Sequence, residues 1–174
     1  MMIERLLPRH AADYRALMLE AYARHPRAFT SSVAERTVLP LAWWAARLEP
    51  GPRAKSLVLG CWHAGAMAGV VGLTFAQQEK ARHKAKLFGL YLSPSLRGQG
   101  LGHVLVQAAL AEARARDGLR LVQLSLTEGN QAALALYERC GFVTFGREPQ
   151  ALAVDGEYLA KLQMSCELTE AAPV

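Results

Sequence analysis

Apolar residues change their spacing several times along the chain, and each change marks a predicted element. Spacings of three and four residues predict helices over 13–24, 40–48 and 131–139, and from a turn at 97–102 to about 117. Short alternating or continuous apolar runs predict strands over 3–7, 56–62, 67–75, 86–92, 121–126, 142–145 and 158–168. Residues 28–39 are expected to form a loop or short helix, and 77–84 a polar loop.

The predicted elements follow each other in the order β-α-α-β-β-β-α-β-α-β-β. Hairpin-connected strands come first, and a strand–helix–strand crossover follows in the middle. This order predicts an α+β fold, an α/β-type mixed sheet with helices on both faces, and excludes a doubly wound nucleotide-binding fold. The chain has no repeat or linker, and its 174 residues predict one domain spanning 1–174.

The most informative segment is a glycine-rich turn between a predicted strand and a predicted helix, RGQGLG over residues 97–102. Gly98, Gly100 and Gly102 allow backbone amides to point outward at a helix N-terminus, which is a common anion site. Arg97 adds a cation that matches phosphate geometry. A tight turn without a ligand is the simpler explanation of the glycines alone. Walker and dinucleotide loops are excluded, because Leu-Gly stands where the first needs Lys-Ser/Thr and His103 where the second needs glycine.

Composition narrows the class of protein. Twenty Lys and Arg against fifteen Asp and Glu give a net charge of +5, which favours an anionic partner such as a phosphorylated cofactor. The cations are scattered, which disfavours a nucleic-acid-binding domain.

The weakly polar stretch 65–76 is shorter than the ~20 residues of a membrane span, and the N-terminus lacks a signal-peptide core. Three separated cysteines predict reduced thiols, and Cys61-x-His63 lacks further metal ligands, so we expect a cytoplasmic protein without a metal site.

Two segments carry a resemblance to a known family. The pattern R-x-x-G-x-G over 97–102, after a strand and Ser-Pro, resembles the acyl-CoA-binding motif of the GNAT superfamily of N-acetyltransferases. The segment GNQAALALYERCGF over 129–142 resembles the next family motif, in which an Asn precedes a helix whose Tyr lies near the thioester sulfur. Segments 25–29 and 155–164 are similar to a common bacterial branch, so the resemblance covers nearly the whole chain.

The resemblance implies a fold and a cofactor site. The fold is a sheet of about seven mostly antiparallel strands, splayed between the fourth and fifth, with a central β-α-β crossover and about four helices. The co-substrate is acetyl-CoA, and no metal is involved. The resemblance assigns its binding to Leu90, Tyr91, Leu92, Arg97, Gly98, Gln99, Gly100, Leu101, Gly102, His103, Asn130 and Tyr137. The backbone of 90–92 would bond the pantetheine chain as an added strand, and the amides of 98–103 would bond the pyrophosphate.

The implied reaction is direct transfer of acetyl from acetyl-CoA to a primary amine. Tyr137 is expected to be the general acid that protonates the leaving thiolate; an ordinary core aromatic is the alternative. The general base stays open among Glu35, Glu79, His83, Glu128 and a water chain, although the loop of His83 is expected to open toward the acceptor. Trp43 or Trp44 could form a wall of the acceptor pocket, with the other in the core.

The acceptor is not decided by the sequence. It could be an amino acid, an antibiotic, a small amine or a protein N-terminus, and Ala160 stands where relatives often carry an acid, which disfavours a polyamine. The acyl-chain preference and a homodimeric state also stay open. The main alternative function is a non-catalytic acyl-CoA-binding or sensing module on the same fold, which would keep the 97–102 loop and need no acid at Tyr137.

Overall fold

Seven strands form one mixed sheet in the computed structural model, which describes residues 2–168. The strands are β1 (Met2–Arg5), β2 (Ser56–His63), β3 (Ala66–Phe75), β4 (Lys84–Leu92), β5 (Leu121–Thr127), β6 (Val143–Val154) and β7 (Glu157–Glu167). Their order across the sheet is β1-β2-β3-β4-β5-β7-β6, and β4 with β5 is the parallel pair. The predicted α+β architecture with one central crossover is confirmed.

Residues 2–168 contain five α-helices, one more than expected, on the two faces of the sheet. They are α1 (Ala11–Arg24), α2 (Val33–Thr37), α3 (Leu41–Ala46), α4 (Leu101–Arg114) and α5 (Gln131–Arg139). The additional helix is α2, which lies in the region expected to be loop or short helix. It forms because Ser32 and Glu35 make a capping box, in which Ser32 Oγ accepts from Glu35 N at 3.2 Å and Glu35 Oε2 accepts from Ser32 N at 2.8 Å. No helix in residues 2–168 is long and apolar enough to cross a bilayer.

Each face of the sheet has its own hydrophobic cluster. One cluster joins α4 and α5 to the central strands, and it includes Leu105, Leu124 and Met164. The other joins α1 and α3 to β2, β3 and β4, and its largest fully buried side chain is Trp44. Trp43 stays partly exposed. As expected, one of the two tryptophans lies in the core and the other lies at the surface.

The sheet opens between its fourth and fifth strands. β4 and β5 pair at Lys84–Lys86 with Leu121–Gln123, and no pairing continues beyond. The register between β3 and β4 shifts at Gly89, whose φ is +64°, so β4 carries a bulge where it leaves β5. A bulge bends a strand and increases its twist, which separates the two strands toward their C-terminal ends.

The sixth strand is much longer than its sequence predicts. The predicted strand covers only 142–145, and the residues after it include Gly146 and Pro149, two types that usually weaken or end a strand. β6 continues to Val154, with register shifts against β7 at both places. A proline is tolerated here because β6 is at the edge of the sheet, where no further ladder needs its amide. The strand then turns into β7 through Asp155 and Gly156, both with positive φ.

Candidate active site

The turn after β4 and the first turn of α4 form a concave row of backbone amides. Gly98 and Gly100 have φ of +76° and +77°, a left-handed conformation that glycine adopts without strain. Gly100 is the N-cap of α4 and offers no capping side chain. Within the described chain, the amides of 98–103 donate to no carbonyl. Unpaired amides at a helix N-terminus attract an anion.

Gly102 has a different role from the two glycines before it. A Cβ at this position would lie 3.1 Å from Leu136 Cδ2, on α5. The missing side chain therefore allows α4 and α5 to approach closely, and this brings the two predicted motifs to the same place.

A cavity of about 660 Å³ lies beside these amides, along the part of β4 that has left β5. The predicted binding residues that line it are Leu90, Tyr91, Leu92, Arg97, Gly98, Gly100, Leu101, Gly102, His103 and Asn130. Gln99 does not line it, because its side-chain amide donates to Ser95 O at 3.0 Å within the turn. Tyr137 does not line it either. The structure therefore brings most of the predicted site together around one cavity.

Arg97 is held at the cavity by three contacts. Its Nε donates to Leu92 O at 3.0 Å, and its Nη2 lies 2.8 Å from His25 Nε2. Its guanidinium stacks over the ring of Tyr91, with Cζ 5.4 Å from the centroid. Burial and the nearby Arg97 charge lower the pKa of His25, so the neutral imidazole can accept from Arg97 at neutral pH. The orientation of Arg97 is thus fixed before any ligand binds.

Tyr91 ties α1 to the bulged strand. Its ring is buried, and its hydroxyl donates to Glu20 Oε1 at 2.9 Å. Glu20 Oε1 also accepts from Arg24 Nε at 3.1 Å. Burial and the Glu20 hydrogen bond raise the pKa of Tyr91, which keeps the hydroxyl protonated. Sequence reasoning assigned only the backbone of Tyr91, whereas its side chain positions the cavity wall.

Asn130 and Tyr137 lie at the two ends of α5 and in different surroundings. Asn130 is the N-cap, and its Oδ1 accepts from Ala133 N at 3.2 Å while the residue lines the cavity. Tyr137 is 8% exposed and packs edge-on against Phe142, with ring centroids 5.8 Å apart. Burial raises the pKa of Tyr137. Its hydroxyl forms no hydrogen bond with another residue in the described chain.

None of the four side chains considered as a general base lines the cavity. Glu35 is held by hydrogen bonds from Ser32, which lower its pKa. Glu128 is paired with Arg147, which lowers the pKa of that carboxyl. Glu79 and His83 precede β4, at the end where it pairs with β5. The expectation that the loop of His83 opens toward the acceptor is therefore wrong, since the sheet opens at the other end of the strand.

Sequence reasoning missed the cavity residues contributed by the end of α1 and the loop after it. His25, Ala28 and Phe29 line the cavity, and His25 contacts Arg97 at the start of the glycine-rich turn. They lie about seventy positions before that turn, and a solitary His-Pro after a helix indicates only a helix end. The resemblance at 25–29 was the available signal, but it assigned no role to these residues.

Comparison with known proteins identifies the family. The sequence pattern of the acetyltransferase (GNAT) family matches residues 15–142, which is most of the chain and includes both motifs. The chain belongs to the GNAT acetyltransferase family. The resemblance expected from the motifs at 97–102 and 129–142 is confirmed.

Two curated relatives are similar over part of their length. A mycothiol acetyltransferase of Salinispora tropica is 33% identical over 127 residues, 73% of this chain and 39% of the relative. An L-methionine sulfoximine/L-methionine sulfone acetyltransferase of Pseudomonas paraeruginosa is 35% identical over 86 residues, 48% of this chain and 49% of the relative. The matched segments cover less than half of either relative.

Solved structures share the fold over nearly the whole chain. An acetyltransferase of the GNAT family from Streptococcus pneumoniae matches with a TM-score of 0.84 at 24% identity, over 97% of this chain and 99% of that one. The yncA protein of Salmonella typhimurium, solved with acetyl-CoA, matches with a TM-score of 0.80 at 22% identity, over 100% and 97% of the two chains. The seven-stranded GNAT fold follows from these matches.

Proposed function

We propose that this protein is an N-acetyltransferase that moves the acetyl group of acetyl-CoA directly to a primary amine. One observation carries the proposal: an unpaired strand edge and an uncapped row of amides meet at the same cavity. A pyrophosphate requires several donors, and a chain of amide groups requires a free strand edge. Both similar curated relatives are named as acetyltransferases, and one structural neighbour was solved with acetyl-CoA, which supports the proposal.

The residues around the cavity suit the parts of acetyl-CoA. The amides of 98–103 would bond the pyrophosphate, with Arg97 beside them. The backbone of Leu90–Leu92 and the side chain of Asn130 would bond the pantetheine arm. Because Arg97 is already held by Leu92 O and His25, little side-chain entropy is lost when an anion arrives. When bound, acetyl-CoA supplies an acetyl group activated as a thioester.

We assign proton donation to Tyr137. Burial keeps its hydroxyl protonated, and the hydroxyl has no hydrogen-bond partner in the described chain, so its proton is available to the departing sulfur. Such a donor contributes roughly 10²–10⁴-fold to a rate. Because Glu35 and Glu128 are engaged in other contacts and Glu79 and His83 lie at the paired end of β4, we assign removal of the amine proton to water.

A non-catalytic acyl-CoA-binding or sensing module is the second candidate. The observation that favours it is that Tyr137 does not line the cavity. Such a module would use the same cradle and would not need the Tyr137 hydroxyl. In either case, three buried free cysteines fit a reducing compartment, and we propose that the protein works in the cytoplasm.

One experiment separates the two candidates. Binding of acetyl-CoA is measured by calorimetry, and release of free thiol is then followed with a panel of primary amines. We expect acetyl-CoA to bind and at least one amine to give thiol release above the rate without amine. Binding without amine-dependent thiol release would favour the sensing module, and no binding would contradict both.

A further inference from the structure

Four cations lie near the start of the sheet opening on the face that carries α1, α2 and α3, with Lys86 at the last position of β4 that pairs with β5. Along β7, Met164 lies in the cluster under α4, so Lys161, an odd number of residues away, points to the opposite face. Along β4, Leu87 lies under α4, and Lys86 and Phe88 point to that same opposite face. Arg36 on α2 and Arg47 after α3 lie on this face as well. We call Arg36, Arg47, Lys86 and Lys161 the basic ring.

An aromatic platform orients the two arginines. Arg36 Cζ and Arg47 Cζ each lie 4.6 Å from the centroid of Trp43. Arg47 Cζ also lies 5.0 Å from the centroid of Phe88, which precedes the bulge in β4. Stacking of this kind holds a guanidinium in one orientation. Tyr14 lies beside Arg47, and Tyr22 lies beside Arg36.

One loop connects Arg36 to Lys161. Arg36 Nη2 donates to Ser31 Oγ at 2.7 Å, and Lys161 Nζ donates to Thr30 Oγ1 at 2.5 Å. Because Thr30 and Ser31 are consecutive residues, the two cations meet at the same short segment although they are far apart in the sequence.

Lys86 closes the ring electrostatically. Burial and the charge of Lys86 lower the pKa of Lys161, and Glu148 partly offsets the effect. Lys161 is therefore partly desolvated and within the field of a second cation. A bound anion would relieve both effects, which makes the position favourable for a negative group.

The carboxylates beside the ring do not neutralise it. Glu35 caps α2 by accepting from Ser32 N, and Glu148 accepts from Gln163 Nε2 at 3.2 Å. Four cations against these two carboxylates leave an excess of positive charge. The Nε atoms of Arg36 and Arg47 are also buried without a hydrogen-bond partner in the described chain.

We propose that the basic ring binds a carboxylate of the acceptor, so that the acceptor is an amine carrying a carboxylate, such as an amino acid. The inference rests on the proposed function, and it adds the chemical class of the acceptor. Phe88, beneath Arg47, adjoins the bulge at Gly89, and the cavity begins at Leu90. The ring and the cavity thus flank the same opening of the sheet. A polyamine would be repelled by the ring, because like charges brought together are unfavourable.

The test compares acceptors that differ in charge and little else. Thiol release from acetyl-CoA is followed with L-methionine against L-methioninamide, L-phenylalanine against L-phenylalaninamide, and spermidine. We expect kcat/KM for each acid to exceed that for its amide by ~10-fold or more, the size of one charge-assisted contact. The amine of an amide loses its proton more easily than that of the acid, so amine basicity would give the opposite preference.

Variants of Lys161 test whether the basic ring causes the preference for the acid over its amide. Lys161→Met is expected to reduce the preference for the acid by ~10-fold, and Lys161→Arg, which keeps the charge, is expected to retain most of it. Lys80→Met is the matched control, because Lys80 is an exposed lysine on the turn before the paired end of β4. A second readout needs no turnover. N-acetyl-L-methionine and N-acetyl-L-methioninamide are each titrated into the protein with CoA in a calorimeter, and their affinities are compared.

Failure of this inference can be told apart from failure of the proposed function. Amides or spermidine used as well as the acids, or an unchanged preference in Lys161→Met, would overturn the inference and leave acetyl transfer standing. Selective binding of N-acetyl-L-methionine without thiol release from any amine would support the ring and contradict the transferase. If no acid is acetylated and N-acetyl-L-methionine binds no better than its amide, the assignment of the basic ring to a carboxylate is contradicted.

Discussion

Two buried tyrosines in the site differ in what their hydroxyls contact. The hydroxyl of Tyr91 donates to Glu20, whereas that of Tyr137 bonds to no residue of the described chain. The hydroxyl of Tyr137 can therefore pair with a ligand or with water, whereas that of Tyr91 already has a protein partner. This difference supports the assignment of the general acid to Tyr137 and of a positioning role to Tyr91.

We expect Tyr137→Phe to lower kcat by ~10²-fold with little change in acetyl-CoA affinity. Phenylalanine keeps the ring that packs against Phe142 and removes the proton that the leaving thiolate needs. The measurement combines kcat, calorimetric affinity and the melting temperature of the one variant. Tyr158→Phe is the control, since Tyr158 is an exposed tyrosine at the start of β7 that does not line the cavity.

The pH profile gives a second readout of the same prediction. Burial disfavours the phenolate of Tyr137, so its pKa is raised and the acid form persists above the ordinary value of about 10. The kcat of the unaltered protein should therefore stay level from about pH 8 to about pH 10 rather than begin to fall. An unchanged kcat in Tyr137→Phe, with chemistry rate-limiting, would remove Tyr137 from the mechanism and leave it as a core aromatic.

At the scale of the element, the loop before α4 can be tested against a matched turn after it. Gly100 and Gly118 both have φ of +77°, and a Cβ at either would meet no atom within 4 Å. Gly100→Val and Gly118→Val should therefore cost similar stability, about 1–2 kcal/mol of left-handed backbone strain. Only the first places a branched side chain beside the row of amides, so only it should abolish CoA binding by calorimetry.

The comparison of the two valine variants decides the role of the loop. Circular dichroism is expected to show the same fold in both, because a Cβ at either position meets no atom within 4 Å. Undiminished CoA affinity in Gly100→Val would contradict the assignment of 98–103 to the pyrophosphate. An equal loss of affinity in Gly118→Val would attribute the effect to strain in α4 and not to the amides.

Elements defined by local signals were predictable, and those decided by neighbours in space were not. The glycine-rich turn and the cap at Asn130 depend on adjacent residues, so the sequence alone located them. β6 was underestimated because Gly146 and Pro149 are local breakers, and only its place at the sheet edge allows the strand to continue. The five-residue α2 agrees with the expectation of a loop or short helix over 28–39, and it begins at the capping pair Ser32 and Glu35.

The same distinction divides the candidate site. The cofactor side comes from two continuous motifs, so its residues could be named from the sequence. The proposed acceptor side joins residues from α2, the end of α3, β4 and β7, namely Arg36, Arg47, Lys86 and Lys161. Each is an ordinary surface cation in its own segment, and only the topology of the sheet brings them around one opening.

At the scale of the whole molecule, the net charge is +5, and positive charge is concentrated at two places. Arg97 lines the cavity, and the basic ring lies near the sheet opening on the face that carries α1, α2 and α3. Elsewhere, Arg27 pairs with Glu157 at 2.7 Å and Arg147 pairs with Glu128. The exposed Phe145 and Tyr158 thus lie on strands whose nearby arginines are already paired. A nucleic-acid surface needs exposed aromatics interleaved with available cations, and this arrangement does not provide one.

We therefore expect no tight binding to duplex DNA. Scattered cations give only a salt-dependent attraction, with a Kd around 10⁻⁴–10⁻⁶ M at physiological salt. An electrophoretic mobility-shift titration of a random duplex, at low and physiological salt, measures both the affinity and its salt dependence. Lys161→Met removes one cation of the basic ring and should leave the weak binding almost unchanged, since a diffuse field does not depend on one residue. Sub-micromolar binding at physiological salt, lost in that variant, would instead make the basic ring a phosphate-backbone site and contradict its assignment to a small carboxylate.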